Sequence, residues 1–323
     1  MSKPALWKQI LRTNFTRWEG LANFLELDPQ QRKIILQKPR FPLNLPLRLA
    51  QKIVKGTLDD PILRQFLPTL EEEKQHPLFL IDPVGDQACR PKSKLLHKYH
   101  GRVLLVCTSA CAMHCRYCFR QNFDYDVSDQ SFDEELEIIA NDPSISEVIL
   151  SGGDPLSLSD RTLQKLLEEI DRIPHIQRIR FHTRFPIGIP ERIDDDFIAI
   201  LSNVRCQLWF VIHTNHVREL DEDIYSRLKR LHKLGVVLLN QSVLLRGVND
   251  NVDTLKELCE TLANHGILPY YLHQLDRVQG SAHFEVSEDE GRYLIQEIAK
   301  QLPGYAVPKY VREISGEPGK TKL

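Results

Sequence analysis

The chain has 323 residues, enough to bury a large core in one large domain or two. Hydrophobic residues make up 42 % and charged residues 27 %, with a net charge of −2, so no basic or acidic excess points to a nucleic-acid or anionic-membrane partner. The opening MSKPALWKQILRTNF has neither the apolar core nor the small-residue cleavage site of a signal peptide, and no apolar run approaches the ~20 residues of a membrane span. A cytoplasmic protein is expected.

In chain order, residues 1–96 read as a helical region, either a small domain or a wrap around the rest. Short helical patterns (Leu6, Ile10, Leu11; Leu49, Ile53, Val54) are broken by proline-rich FPLNLPLRL, and the charge run Glu71 to Lys74 reads as a solvated turn. From residue 102 a rhythm sets in. Short apolar runs at 102–109, 147–152, 176–183, 207–214, 236–247 and 267–276 read as strands, each followed by an amphipathic helix such as the one carrying Ile224, Leu228 and Leu231. Gly235 and Gly266 fall where helix C-caps belong.

Strands alternating with helices at this spacing mean an α/β fold with a parallel sheet. Six units rather than eight suggest a partial (β/α)6 barrel over residues 97–305. A C-terminal segment, 306–323, adds one more extended stretch near Ala306 to Ile314. In such sheets chemistry gathers at the C-terminal strand ends. The polar residues collect there: the cysteine loop, Gly152-Gly153-Asp154, His182-Thr183-Arg184, His213 to His216, Gln241 and Asp276.

Four of the seven cysteines fall between residues 107 and 118, and an odd total packed this way is not a disulfide framework. Cys111, Cys115 and Cys118 have the spacing C-x3-C-x2-C, while Cys107 reads as a buried strand residue. Three thiolates could bind zinc if His114 completed the set. They could also hold three irons of a [4Fe–4S] cluster and leave the fourth iron open to another ligand.

The second reading has company along the chain. CTSACAMHCRYC closely resembles the cluster loop of radical S-adenosylmethionine enzymes. HKYHGRVLLVCTSACAMHCRYCFR, SGGDPL, IHTNH, LNQSVLLRGVND, YYLHQLD and YAVPKYVREISGEPGKTKL, in that order, resemble the lysine 2,3-aminomutase family. That resemblance implies three cofactors: a [4Fe–4S] cluster on Cys111, Cys115 and Cys118, S-adenosyl-L-methionine, and pyridoxal 5′-phosphate. It makes Lys320, in GEPGKT, the coenzyme lysine; read by itself, a lysine so near the end of the sequence is a mobile side chain. Arg102 and Arg116 fall on arginines that hold the coenzyme phosphate, with Lys98 where a further one lies. Tyr117, Gly152, Gly153, Asp154, Gln241 and His213 fall beside S-adenosylmethionine or the coenzyme, although GGDP is also a common turn and a buried strand polar can merely satisfy its neighbours. Arg120 falls on the residue for the substrate carboxylate. Asp276 and Glu313 fall on the two carboxylates for the distal ammonium of lysine, Glu313 replacing the usual aspartate; the plain alternative is that they pair with Arg277 or Arg312.

The implied reaction moves the amino group of L-lysine from C2 to C3 by way of a 5′-deoxyadenosyl radical. CRYCFR, Glu313 and the short tail after Lys320 resemble the bacterial branch that makes (R)-β-lysine for elongation factor P and its ligase. Free-lysine catabolism giving (S)-β-lysine is the alternative. Glu317 and Pro318 depart from the family's glycine run and leave that loop's shape open. A flavodoxin-like or ferredoxin-like electron donor is expected. A zinc-stabilised adaptor without catalysis is the rival from another class; a radical enzyme acting on nucleic acid would need a basic surface that the composition does not supply.

Overall fold

The structure is a computed structural model and describes residues 5–126 and 131–323. Nine strands form one sheet in sequence order: β1 (Leu95–Tyr99), β2 (Arg102–Val106), β3 (Glu147–Ser151), β4 (Arg178–Thr183), β5 (Gln207–Ile212), β6 (Val237–Val243), β7 (Leu268–His273), β8 (Lys309–Arg312) and β9 (Thr321–Lys322). β2 to β8 run parallel, and β1 and β9 lie antiparallel at the two edges. The sheet curls without closing, a partial barrel. Helices Asp133–Asn141, Asp160–Asp171, Asp195–Ser202, Glu222–Lys233, Val252–Asn264 and Glu288–Ala299 connect the parallel strands. The extended segment expected near Ala306 to Ile314 is β8, a seventh parallel strand.

Local chemistry starts these helices where they start. The side chains of Ser159, Asp194, Asp221, Asn251 and Ser287 each accept a hydrogen bond from a backbone N–H of the first turn, satisfying donors a helix otherwise leaves unpaired. Gly235 and Gly266 follow two of the helices with φ of +78° and +72°.

A sheet covered on both faces would read as continuous apolar strands, but β4 reads Arg-Ile-Arg-Phe-His-Thr. Ile179 and Phe181 face the helices, where Phe181 stacks on Phe210 with centroids 4.4 Å apart. Arg178, Arg180 and His182 face the barrel interior and line a cavity of about 720 Å³. The alternation is therefore the mark of a polar-lined interior.

The N-terminal residues wrap the barrel. Trp7, Leu21, Leu45, Leu49 and Phe66 share one hydrophobic cluster with Val148, Phe181, Phe185 and Phe210. Trp7 is 2 % exposed and meets Phe185 edge-on at 5.6 Å. The sheet itself begins at Leu95, inside the region read from sequence as helical. The charged run is more than a solvated turn: Leu70–Glu73 is a 3-10 helix with a capping box, and Glu72 forms a largely buried ion pair with Arg116. Among the described residues no helix is long and apolar enough to cross a membrane.

Candidate active site

The cavity runs the length of the barrel. Cys111, Cys115, Cys118, Tyr117, Gly152, Gly153, Asp154, Arg184 and Asn215 line its C-terminal end. Ser151, His182, His213, Gln241 and His273 line the middle, and Arg102, Glu147, Arg178, Arg180 and Trp209 the floor. The wrap contributes Phe41, Val84 and Asp86 to the wall.

The three cysteines share a rim, and Cys107 is buried behind them. Burial pushes the thiol of Cys118 up to about 11 and that of Cys111 upward as well, so metal uptake releases protons. His114 is turned away, its Nδ1 2.9 Å from the Pro42 carbonyl and its ring stacked on Phe41. Among the described residues no group of three His, Cys, Asp or Glu side chains is arranged around a single-ion position.

Gly152 and Gly153 let two loops touch. A Cβ on Gly153 would lie 2.3 Å from the Ala110 carbonyl oxygen, and one on Gly152, at φ +119°, 2.8 Å from that of Thr108. Gly153 N–H donates to Thr108 O at 2.6 Å and Asp154 N–H to Ala110 O at 2.8 Å, fixing the cysteine loop against the end of β3. The Asp154 carboxylate accepts from Thr183 Oγ1 and from the N–H groups of Leu156, Arg184 and Phe185. It pins the β4 loop at the cavity's C-terminal end. Burial, only partly offset by these bonds, raises its pKa to about 6.

The β8–β9 hairpin explains Lys320. Val311 pairs with Lys322 and Arg312 with Thr321, so the next residues out, Glu313 and Lys320, lie side by side. Lys320 Nζ is 2.5 Å from Glu313 Oε2, and both line the cavity. Tyr99 donates to the other oxygen of Glu313, and Lys98 stands 3.7 Å away, so side chains span the gap between the sheet's two edges. Glu317 and Pro318 occupy the exposed hairpin tip, away from the lysine's surroundings. Asp276 also faces the cavity. Arg277 pairs with Glu285 and Arg312 with Glu288, so neither neutralises Asp276 or Glu313. Burial raises Asp276 to about 7, the Lys320 charge opposing and the Glu313 charge adding to it. Glu313 ends below its usual range, because burial is outweighed by Lys320 and the Tyr99 hydrogen bond.

The arginines separate. Arg120 faces the cavity, with Nε 2.8 Å from Asp86 Oδ2 and Nη1 3.3 Å from Ser151 Oγ. Arg102 faces the floor, stacks on Tyr99 at 4.5 Å and has no ion pair among the described residues. Arg116 does not reach the cavity: it is 1 % exposed, its Nε lies 2.8 Å from Glu72 and its Nη1 2.7 Å from the Phe41 carbonyl. Its charge is spent within the wrap, and the structure does not bring it together with Arg102 at the cavity. Lys98 is likewise engaged, 2.6 Å from Asp86 Oδ1. Arg178 and Arg180, missed in the sequence, also line the floor, and Arg180 lies 2.8 Å from Glu147.

His182 Nε2, His273 Nε2 and Trp209 Nε1 are buried without a hydrogen-bond partner among the described residues, and all three residues line the cavity. Buried polar atoms normally have partners, so these fit a polar ligand in the barrel. Gln241 Nε2 and His213 Nε2 lie 2.8 Å apart, and burial lowers His213 to about 3, keeping it neutral.

The chain resembles known proteins along most of its length. Residues 100–185 match a family model described as a 4Fe-4S single cluster domain. L-lysine 2,3-aminomutase of Escherichia coli (strain K12) is 42 % identical over 322 residues, covering 98 % of this chain and 94 % of that one. The chain belongs to the lysine 2,3-aminomutase family. L-lysine 2,3-aminomutase of Haemophilus influenzae is 41 % identical, with 98 % and 94 % covered, and that of Clostridium subterminale 33 % identical, with 98 % and 77 % covered. A solved radical SAM methyltransferase from Sphaerobacter thermophilus overlays with a TM-score of 0.47 at 17 % identity, over 67 % of this chain and 68 % of that one. The family is one of isomerases that use a [4Fe–4S] cluster, S-adenosylmethionine and pyridoxal phosphate. The three rim thiols, Lys320 and the partnerless polar atoms of the cavity fit those groups.

Proposed function

We propose that this chain is an L-lysine 2,3-aminomutase, moving the α-amino group of lysine to C3 to give (R)-β-lysine that serves the modification of elongation factor P. The observation that carries the reaction is one cavity with Lys320, Asp276, Glu313 and Arg120 within the same walls as Cys111, Cys115 and Cys118. When bound, the cluster with S-adenosylmethionine supplies a 5′-deoxyadenosyl radical, and pyridoxal phosphate supplies a carbonyl carbon and a ring able to delocalise spin.

The chain's own residues bind and orient. Cys111, Cys115 and Cys118 hold the cluster, with Tyr117 and the Gly152-Gly153 backbone beside S-adenosylmethionine. Gln241 and His213 face the nucleoside and coenzyme. Arg102, which has no carboxylate partner among the described residues, would hold the coenzyme phosphate, with Arg180 on the same floor. Arg120, aimed by Asp86, takes the substrate carboxylate, and Asp276 and Glu313 take the distal ammonium. Lys320, whose amine lies beside Glu313, would hold the coenzyme. The barrel walls keep water from the reacting atoms. CRYCFR and Glu313, one methylene longer than the usual aspartate, support the (R) product and the elongation factor P role. A flavodoxin-like or ferredoxin-like protein would deliver the electron.

The test is anaerobic incubation of the reconstituted protein with L-lysine, S-adenosylmethionine, pyridoxal phosphate and a reductant, followed by chiral amino-acid analysis. (R)-β-lysine is expected, and none from Lys320→Ala or Cys115→Ala. Only the (S) isomer would move the chain to free-lysine metabolism. Absence of any β-lysine from the wild-type protein, or full activity in either variant, would overturn the reading.

A further inference from the structure

One arginine reaches the cysteine loop from outside it. Arg184, just after β4, is 6 % exposed, and its Nη1 lies 2.8 Å from Cys115 Sγ. The same guanidinium donates to the Tyr117 hydroxyl, and its Nη2 donates to Gln65 Oε1 at 2.7 Å and Glu219 Oε2 at 2.6 Å. Phe66 covers it, 4.9 Å from its ring centroid.

The holders are fixed in turn. Glu219, fully buried, accepts from the N–H groups of Asn215 and His216 at 3.0 Å each and from Gln65 Nε2 at 3.1 Å. Gln65 also donates to the Pro61 carbonyl and accepts from Asn215 Nδ2. The backbone N–H of Arg184 is bound by Asp154 at 2.8 Å. Such a cation, anchored from the wrap, the loop after β3 and the segment after β5, cannot swing away to solvent. Its Nη1 is shared between the Tyr117 hydroxyl and the cysteine sulfur, and its Nε has no partner among the described residues.

We propose that Arg184 is a positioning residue for the cluster, donating a charge-assisted hydrogen bond to the Cys115 sulfur and thereby setting the cluster's reduction potential. The inference rests on the cluster assignment above. Reduction adds negative charge to the cluster and its thiolates. A fixed cation hydrogen-bonded to one of them stabilises the reduced form more than the oxidised one and raises the potential. Glu219 acts in the opposite sense, since its carboxylate partly cancels the guanidinium. The pair leaves a net bias small enough to be changed from either side.

The opposite signs make the test. The full-length protein is reconstituted anaerobically, iron and sulfide are counted, and the midpoint potential is read by EPR-monitored titration without S-adenosylmethionine. Arg184→Met is expected to titrate at a more negative potential than wild type, Arg184→Lys between the two, and Glu219→Gln at a less negative one. Mere loosening of the loop would lower cluster content in all three and would not split the potentials by sign. If Arg184→Met holds no cluster, Arg184→Lys and Glu219→Gln decide between them. Variants with full cluster content and unmoved potentials, or potentials moving in the same direction, would overturn the proposal. So would an unmoved potential with weakened S-adenosylmethionine binding in Arg184→Lys, which would make the arginine a ligand for that molecule. A wild-type protein with no [4Fe–4S] signal would instead sink the function proposed above.

Discussion

Asp276 carries the sharpest residue-scale consequence. Its ordinary carboxyl value is 3.8, and burial holds it near 7 in the cavity against the attraction of Lys320 and Lys98. Binding an ammonium ion requires the ionised form. Above about pH 7 the carboxylate is present and lysine binds without displacing a proton; below it, each pH unit weakens binding by about tenfold. The KM for lysine is therefore expected to rise as pH falls through 7, measured at fixed S-adenosylmethionine, and Asp276→Asn to abolish the slope while keeping KM high throughout. A KM flat between pH 6 and 8 in the wild type would contradict the pairing. Stability runs the other way. The folded state holds the Asp276 proton more tightly than the unfolded chain, so this stabilising term is complete below pH 4 and is lost as pH rises through 7. At pH 8 Asp276→Asn should raise the melting temperature, from a gain on the order of 2 kcal/mol once cavity water is allowed for.

Among the elements, the β3 loop and the cysteine loop meet backbone to backbone. SGGDPL reads equally as a turn and as a cofactor edge, and the structure gives its glycines a steric reason: the backbone from Thr108 to Ala110 occupies the space a Cβ would need. Gly153→Ala must push that backbone away, together with Cys111 next to it. The expected outcome is a folded protein whose iron and sulfide content after reconstitution falls several-fold, with far-ultraviolet circular dichroism unchanged; full cluster content would show that the contact is slack. The same loops mark how much the sequence discloses. C-x3-C-x2-C, the strand rhythm and the rule that chemistry lies at strand ends all act locally, and they lead to Cys111, Gly153 and Asp276. The side chain of an arginine one residue from a cysteine can point either way. Arg116 turns outward to Glu72, while Arg184, 69 residues from Cys115, turns inward to its sulfur. Gln65, Asp86 and Glu219 come from distant segments and carry no local signal at all.

At the scale of the whole molecule, the wrap and the barrel share a core, and they are expected to unfold as one body. Trp7 packs edge-on against Phe185, which follows Arg184, and Arg192 lies 4.7 Å over its indole ring. Leu21, Leu45, Leu49 and Phe66 continue that contact into the helices outside β2 to β6. A wrap folded as an independent unit would melt separately and leave the barrel unaffected. A shared core forbids this, since exposing the wrap's apolar face exposes the barrel's as well. Trp7→Ala removes a buried indole and leaves its volume unfilled, at about 3–5 kcal/mol. The loss should appear as a downward shift of the barrel's own transition, followed by hydrogen exchange of the amides in β3 and β4. If those amides kept wild-type protection while only residues before Leu95 exchanged faster, the wrap would be a separate unit. Gln65 and Asp86 would then be docked onto the site by a detachable segment, and not held there by the fold.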